Sequence, residues 1–126
     1  MSKKVLSVGQ CAADNYAITQ FLQSKLGAEV SDLDTVSEAL DVLRATPVDL
    51  VLVNRIFDVD GASGLEFISR LKEDAVLAPI PVMLVSNHAD AQQQAVARGA
   101  LRGFGKAGLA DAKTLDSLKD VFASGS

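Results

Sequence analysis

The apolar positions of the chain alternate between short runs and spaced stripes. Val5 to Val8 is a strand-like run that stops at Gly9. From Asn15 to Leu26, Ile18, Phe21, Leu22 and Leu26 recur at helical spacing, and Gly27 gives a C-terminal stop. "AEVSDL" (28–33) reads as a brief second strand. Thr35 and Glu38 have the spacing of a capping box, which predicts that hydroxyl and carboxylate satisfy helix-end amides reciprocally. Behind them Val36, Ala39, Leu40 and Leu43 form an apolar stripe. Pro47 to Val53 predicts a third strand, and its unbroken Leu50-Val51-Leu52-Val53 suits a strand covered on both faces.

The second half repeats the pattern. Ser63 and Glu66 have the capping-box spacing before Leu65, Phe67, Ile68 and Leu71, and "IPVMLVS" (80–86) predicts a fourth strand. Asp90 and Gln93 suggest a third cap, ahead of an alanine- and glutamine-rich helix ending near Gly99. "RGFGK" (102–106) reads as a thin fifth strand, and over 112–122 Leu115, Leu118, Val121 and Phe122 share one helical face. Five strands alternating with five helices imply an α/β domain over residues 1–126. Its five-stranded parallel sheet would be doubly wound, with right-handed crossovers and helices on both faces. In such sheets ligands bind beyond the carboxyl ends of the strands, where strand order reverses. That directs attention to Gly9-Gln10-Cys11, Asn54-Arg55, Ser86-Asn87-His88 and Lys106.

Composition narrows the chemistry. The 126 residues fit one domain with a sizeable core. A net charge of −4 and no basic run argue against nucleic-acid binding. No apolar stretch approaches the ~20 residues needed to cross a bilayer, and "MSKKVLSVG" enters a strand with no h-region or cleavage site, so neither membrane insertion nor export is expected. A single cysteine, Cys11, excludes an intrachain disulfide, and a reducing, cytoplasmic setting is the simplest expectation. No glycine-rich phosphate loop supports a nucleotide enzyme. "DVDG" fails as a calcium loop, because with Asp58 and Asp60 as positions 3 and 5, Phe67 falls where a bidentate glutamate is needed. His88 has no second histidine or cysteine near it, so no metal site is expected.

Taken in order, these segments resemble the receiver domain of two-component response regulators, the flavodoxin-like module of chemotaxis regulators. "EVSDLDTVSEAL" is similar to the family's second strand and helix, "PVDLVLVN" to its third strand, and "GLEFISRLK" to its third helix. "IPVMLVSNHAD" resembles the fourth strand and its exit, and "ARGALRGFGKA" the stretch leading to the fifth-strand lysine. The resemblance extends over essentially the whole chain. It implies a (βα)5 three-layer sandwich that signals and is not an enzyme.

The family carries an acidic pair after strand one, a phosphoacceptor aspartate after strand three, a hydroxyl after strand four and a lysine after strand five. By the resemblance the acidic pair falls on Gly9-Gln10 or, counting back from Gly27, on Gln10-Cys11. The phosphoacceptor position falls on Asn54, while the hydroxyl and lysine remain as Ser86 and Lys106. Ala107 stands where a proline usually follows that lysine, Gly103 holds the position of the switch aromatic, and the loop from Asn54 to Gly64 is about two residues longer than usual.

By the resemblance, these departures are expected to remove the phosphorylation chemistry. Magnesium requires hard anionic oxygens in near-octahedral order, and Gln10, Cys11 and Asn54 supply none. An amide oxygen is also a poor nucleophile. A degenerate pseudo-receiver without cofactor, binding magnesium weakly or not at all, is therefore expected. Lys106 would pair with Asp14, Asp58 or Asp60, or anchor an anion. Asn54 reads either as a turn residue bonding the local backbone or as a ligand contact. Asp14 reads as the N-cap of the first helix, and Cys11 as a small buried hydrophobe or, alternatively, a reactive thiolate.

Three functions follow from these readings. The first is signalling through protein contacts, with the fourth helix, fifth strand and fifth helix (roughly Asp90 to Val121, including Arg98, Arg102 and Phe104) as a contact or homodimer face. The second is a sensor binding a small anion through Gln10, Asn54, Arg55, Ser86 and Lys106, with Asn87 beside them. The third is a redox switch or enzyme using Cys11.

Overall fold

The strands form where apolar residues run without interruption. In the computed structural model, which describes residues 2–109 and 111–124, β1 (Lys4–Val8), β2 (Glu29–Leu33), β3 (Leu50–Asn54), β4 (Val82–Val85) and β5 (Leu101–Phe104) form one parallel sheet. Its order is β2-β1-β3-β4-β5. β1 lies between β2 and β3, with Val8 opposite both Leu33 and Val53, and Asn54 stands opposite Val85 of β4. Strand order thus reverses between β1 and β3, and the crevice between their carboxyl ends is the switch point of the sheet.

The period-two alternation of the strands divides the core. Leu6, Val8, Val51, Val53, Val82 and Leu84 pack with α2 (Val36–Ala45), α3 (Gly64–Glu73) and α4 (Ala89–Ala97). Val5, Leu50, Leu52, Met83, Val85 and Phe104 meet Ile18 and Leu22 of α1 (Ala12–Leu26), and Leu118 and Phe122 of α5 (Ala112–Ser124). The result is the doubly wound, three-layer α/β sandwich expected from the alternation of elements. Phe104, placed by sequence within the contact face, belongs to the buried core.

Several boundaries differ from the sequence reading. α1 begins at Ala12, three residues before Asn15, because its alanine-rich first turn carries no apolar period. Cys11 occupies its N-cap position without a side-chain bond. Asp14 is inside the helix and does not cap it. The cap expected from Asp90 and Gln93 is likewise absent: the N-cap position is His88, two residues earlier, so Asp90 already lies in the first turn of α4. Thr35 does cap α2, accepting from the Glu38 backbone at 3.2 Å, but the Glu38 carboxylate accepts from the Thr35 hydroxyl at 3.0 Å instead of reaching back to the Thr35 amide. Ser63 caps α3 through the Glu66 amide at 3.2 Å. The third strand begins at Leu50, not Pro47, and the fifth ends before Gly105, so Lys106 opens a short 3-10 turn (Lys106–Gly108).

Candidate functional site

Gly9 sets the geometry of the crevice. It leaves β1 at φ +79, and a Cβ there would stand 2.5 Å from the Phe57 ring. Glycine alone suits both the left-handed backbone and the close approach. Phe57, 1% exposed, turns inward beneath the long loop after β3 and meets Phe67 edge-to-face at a centroid distance of 5.9 Å. The loop closes on itself through an antiparallel bridge between Ile56 and Ser63. The loop is therefore ordered around a buried aromatic.

Asn54 ties that loop to β1. Its Nδ2 donates to Gly9 O at 2.9 Å and to Ile56 O at 2.7 Å, and Gly9 O also accepts from Asp58 N at 3.0 Å. Both amide hydrogens face backbone carbonyls, an arrangement that an ionised carboxylate cannot make because it has no proton to donate. Asp58 and Asp60 are exposed, and Asp60 accepts from Ala62 N at 3.0 Å in a local turn.

Lys106 pairs with Asp14, Nζ to Oδ2, at 2.9 Å. Of its three candidate carboxylates, this one sits in the first turn of α1, where the helix dipole also favours negative charge. The hydrogen bond and charge of Asp14 raise the Lys106 pKa above the ordinary lysine value, with a smaller contribution from Cys11. The lysine side chain remains 53% exposed, so the pair is open to solvent.

The remaining candidates divide. Gln10 is 8% exposed, and its Nε2 has no hydrogen-bond partner among the described residues. Ser7 Oγ and Asn15 Oδ1 share that condition. Ser7 alternates with Leu6 and Val8 and so faces α1, while Asn15 continues the Ile18–Leu22 stripe toward the helix start. Cys11 is half-buried and free. Ser86 Oγ accepts from His88 N at 3.1 Å. Asn87 Oδ1 accepts from Ala107 N at 3.3 Å and lies over Gly105 where a Cβ would collide with it, so this side chain shapes the lysine turn. Arg55 is exposed, and its carbonyl holds Gly64 N at 2.8 Å. Gln10, Cys11, Asn54, Ser86 and Lys106 thus gather at the carboxyl edge of the sheet, while Arg55 and Asn87 serve its surrounding turns. Sequence reasoning named Asp14 among the possible partners of Lys106, but missed Phe57 and the buried polar atoms of Ser7 and Asn15. The loop also carries Ile56 and Val59, both exposed, so the sequence did not single out Phe57 as its buried member.

The residues present do not fit magnesium. Asp14 is engaged by Lys106, Asn54 turns N–H groups toward carbonyls, and no group of three or more His, Cys, Asp or Glu side chains able to hold a metal occurs among the described residues. No described helix is long and apolar enough to cross a membrane.

A five-stranded parallel sheet with helices on both faces and polar residues at the ends of β1, β3, β4 and β5 is a flavodoxin-like α/β fold. The sequence pattern of the response regulator receiver domain matches residues 12–108, and the chain belongs to that family. No curated protein matches it. Among solved structures it is similar to the signal receiver domain of a DNA binding response regulator (merR) from Colwellia psychrerythraea, at 23% identity and TM-score 0.81, covering 97% of this chain and 99% of that one. Chemotaxis response regulator CheY4 of Vibrio cholerae matches at 21% identity and TM-score 0.72, covering 96% and 99%. NtrX from Brucella abortus matches at 20% identity and TM-score 0.81, covering 99% of this chain but 28% of that protein. The chain is a receiver domain of the signal-transduction type.

Proposed function

We propose that residues 1–126 form one pseudo-receiver domain that signals through protein partners without aspartyl phosphorylation. The observation supporting it most directly is Asn54: at the end of β3 its amide donates to Gly9 O and Ile56 O, where phosphotransfer needs a free carboxylate. The Asp14–Lys106 pair supports the same reading, since it supplies neutralisation from within the chain. Its contacts are assigned to the face of α4, β5 and α5, in a cytoplasmic setting, with a homodimer as one form of that contact. Incubation with acetyl phosphate and magnesium followed by intact-mass measurement should leave the protein unmodified. An acid-labile phosphoryl adduct would overturn the proposal.

A second reading is favoured by Gln10, whose buried Nε2 is a donor without a partner among the described residues. A small anion entering the crevice would accept from it and compete with Asp14 for Lys106. Thermal shift with sulfate, phosphate and nucleotides should then show stabilisation that Lys106→Ala abolishes. No shift at millimolar ligand would count against it.

A further inference from the structure

α4 buries Ala91, Gln92 and Ala95, a glutamine between two alanines on the face that meets the sheet. Gln92 is 5% exposed. Its Nε2 donates to Leu84 O at 2.9 Å and Ser86 O at 3.1 Å, and its Oε1 accepts from Gly103 N at 2.9 Å. The reverse orientation would set the amide oxygen against two carbonyl oxygens, so the three partners fix the rotamer and the flip together. One side chain joins α4, the exit of β4 and the middle of β5.

The backbone around it is shaped to match. Met83 pairs with Leu101 and Val85 with Phe104, so β5 carries one residue more than β4 over that interval, a bulge at Arg102–Gly103. The Gly103 N–H turns to Gln92, and a Cβ on Gly103 would collide with the Leu84 carbonyl. The far end of α4 is fastened separately. Arg98 Nη1 donates to Leu65 O at 3.2 Å and to Ser69 Oγ at 3.0 Å, both on α3.

We infer that Gln92 is a strut that fixes α4 and β5 as one rigid unit, holding the surface they present in a single arrangement whatever occupies the crevice beside Asn54. This goes beyond the proposed function and stands without it. Acetyl phosphate tests the earlier proposal, and backbone dynamics test this one.

The measurement is 15N relaxation dispersion on the whole chain, with hydrogen exchange at the Gly103 amide. The wild-type protein should be flat across α4 and β5. Gln92→Ala should introduce microsecond-to-millisecond exchange in those two elements and raise Gly103 amide exchange at least ~10-fold, as expected when a local opening is favoured by a lost buried bond. β1 and β2 should stay flat. Gln92→Glu separates positioning from packing. Ionised, it has no proton for Leu84 O or Ser86 O. Protonated, it donates one bond and still accepts from Gly103 N. Its exchange should therefore fade on acidification from about pH 8 to about pH 5, the range into which burial raises a carboxylic acid. This variant carries the test if Gln92→Ala does not fold. Exchange already present across α4 and β5 in the wild type, flat profiles in both variants, or exchange rising equally in β1 and β2 would overturn the inference.

Discussion

Two glutamines of this domain are buried to nearly the same degree, Gln10 at 8% exposure and Gln92 at 5%, and their surroundings are opposite. Gln92 has both amide hydrogens and its oxygen engaged by backbone groups of β4, its exit and β5. Gln10 leaves its donor without a partner among the described residues, next in the chain to half-buried Cys11, and Ser7 Oγ and Asn15 Oδ1 share that condition. Burial of a polar group therefore says little until its bonds are counted. A satisfied amide stabilises and orients, whereas an unsatisfied one costs about 1–3 kcal/mol and marks a region shaped by something besides stability.

The sharpest way to break this comparison is Gln92→Leu, which keeps the volume and removes all three bonds. Leu84 O and Gly103 N would be left buried, and a loss of about 3 kcal/mol in urea unfolding is predicted. A loss below about 1 kcal/mol would mean that the strut contributes no more than an ordinary surface bond. Next is Asn54→Asp, expected to cost about 1–2 kcal/mol at neutral pH, because an ionised carboxylate would face Gly9 O and Ile56 O. Those carbonyls disfavour the charged form and raise the new group's pKa in the folded state. Stability should then be full below the ordinary aspartate value of about 3.9 and fall as pH rises through the raised one. A melting temperature independent of pH between those limits would contradict this account.

Gln10→Leu carries the opposite sign and tests the crevice directly. Removing an orphaned donor should be neutral or stabilising by up to about 1 kcal/mol, and calorimetry showing a clear loss would reveal a partner that the described residues do not supply. Smallest is Asp14→Ala. The pair with Lys106 is half exposed, so solvent screening limits its contribution to a few tenths of a kcal/mol. Because the pairing raises the lysine pKa, that contribution is complete below the ordinary lysine value of about 10.4 and disappears as pH climbs through the raised one. Wild type and variant should therefore converge in strong alkali, and a gap that widened there would refute the assignment.

The same contrast explains what the sequence disclosed. The runs through Leu50–Val53 and Val82–Val85 are buried on both faces and left no doubt about the sheet, and their ends located Asn54 and Ser86. The start of α1 was misplaced because Ala12, Ala13 and Asp14 have no apolar period, and with it the role of Asp14 changed from cap to ion pair. Gln92 was hidden within three consecutive glutamines, two of them exposed. Helical spacing does place it one turn from Ala95, but composition alone treats all three as solvated. Pairings across the sheet depend on partners from distant segments, and single-residue chemistry cannot announce them.

The bulge at Arg102–Gly103 has a further consequence for how this domain meets other molecules. β5 is the last strand of the sheet, and an open strand edge invites another chain to add its own backbone. Here the edge is four residues long, and its Gly103 N–H is already turned inward to Gln92. The interrupted ladder makes a poor template for strand addition. Recognition on this side would have to proceed through side chains such as Leu101 and Arg102, with the sheet itself closed to extension.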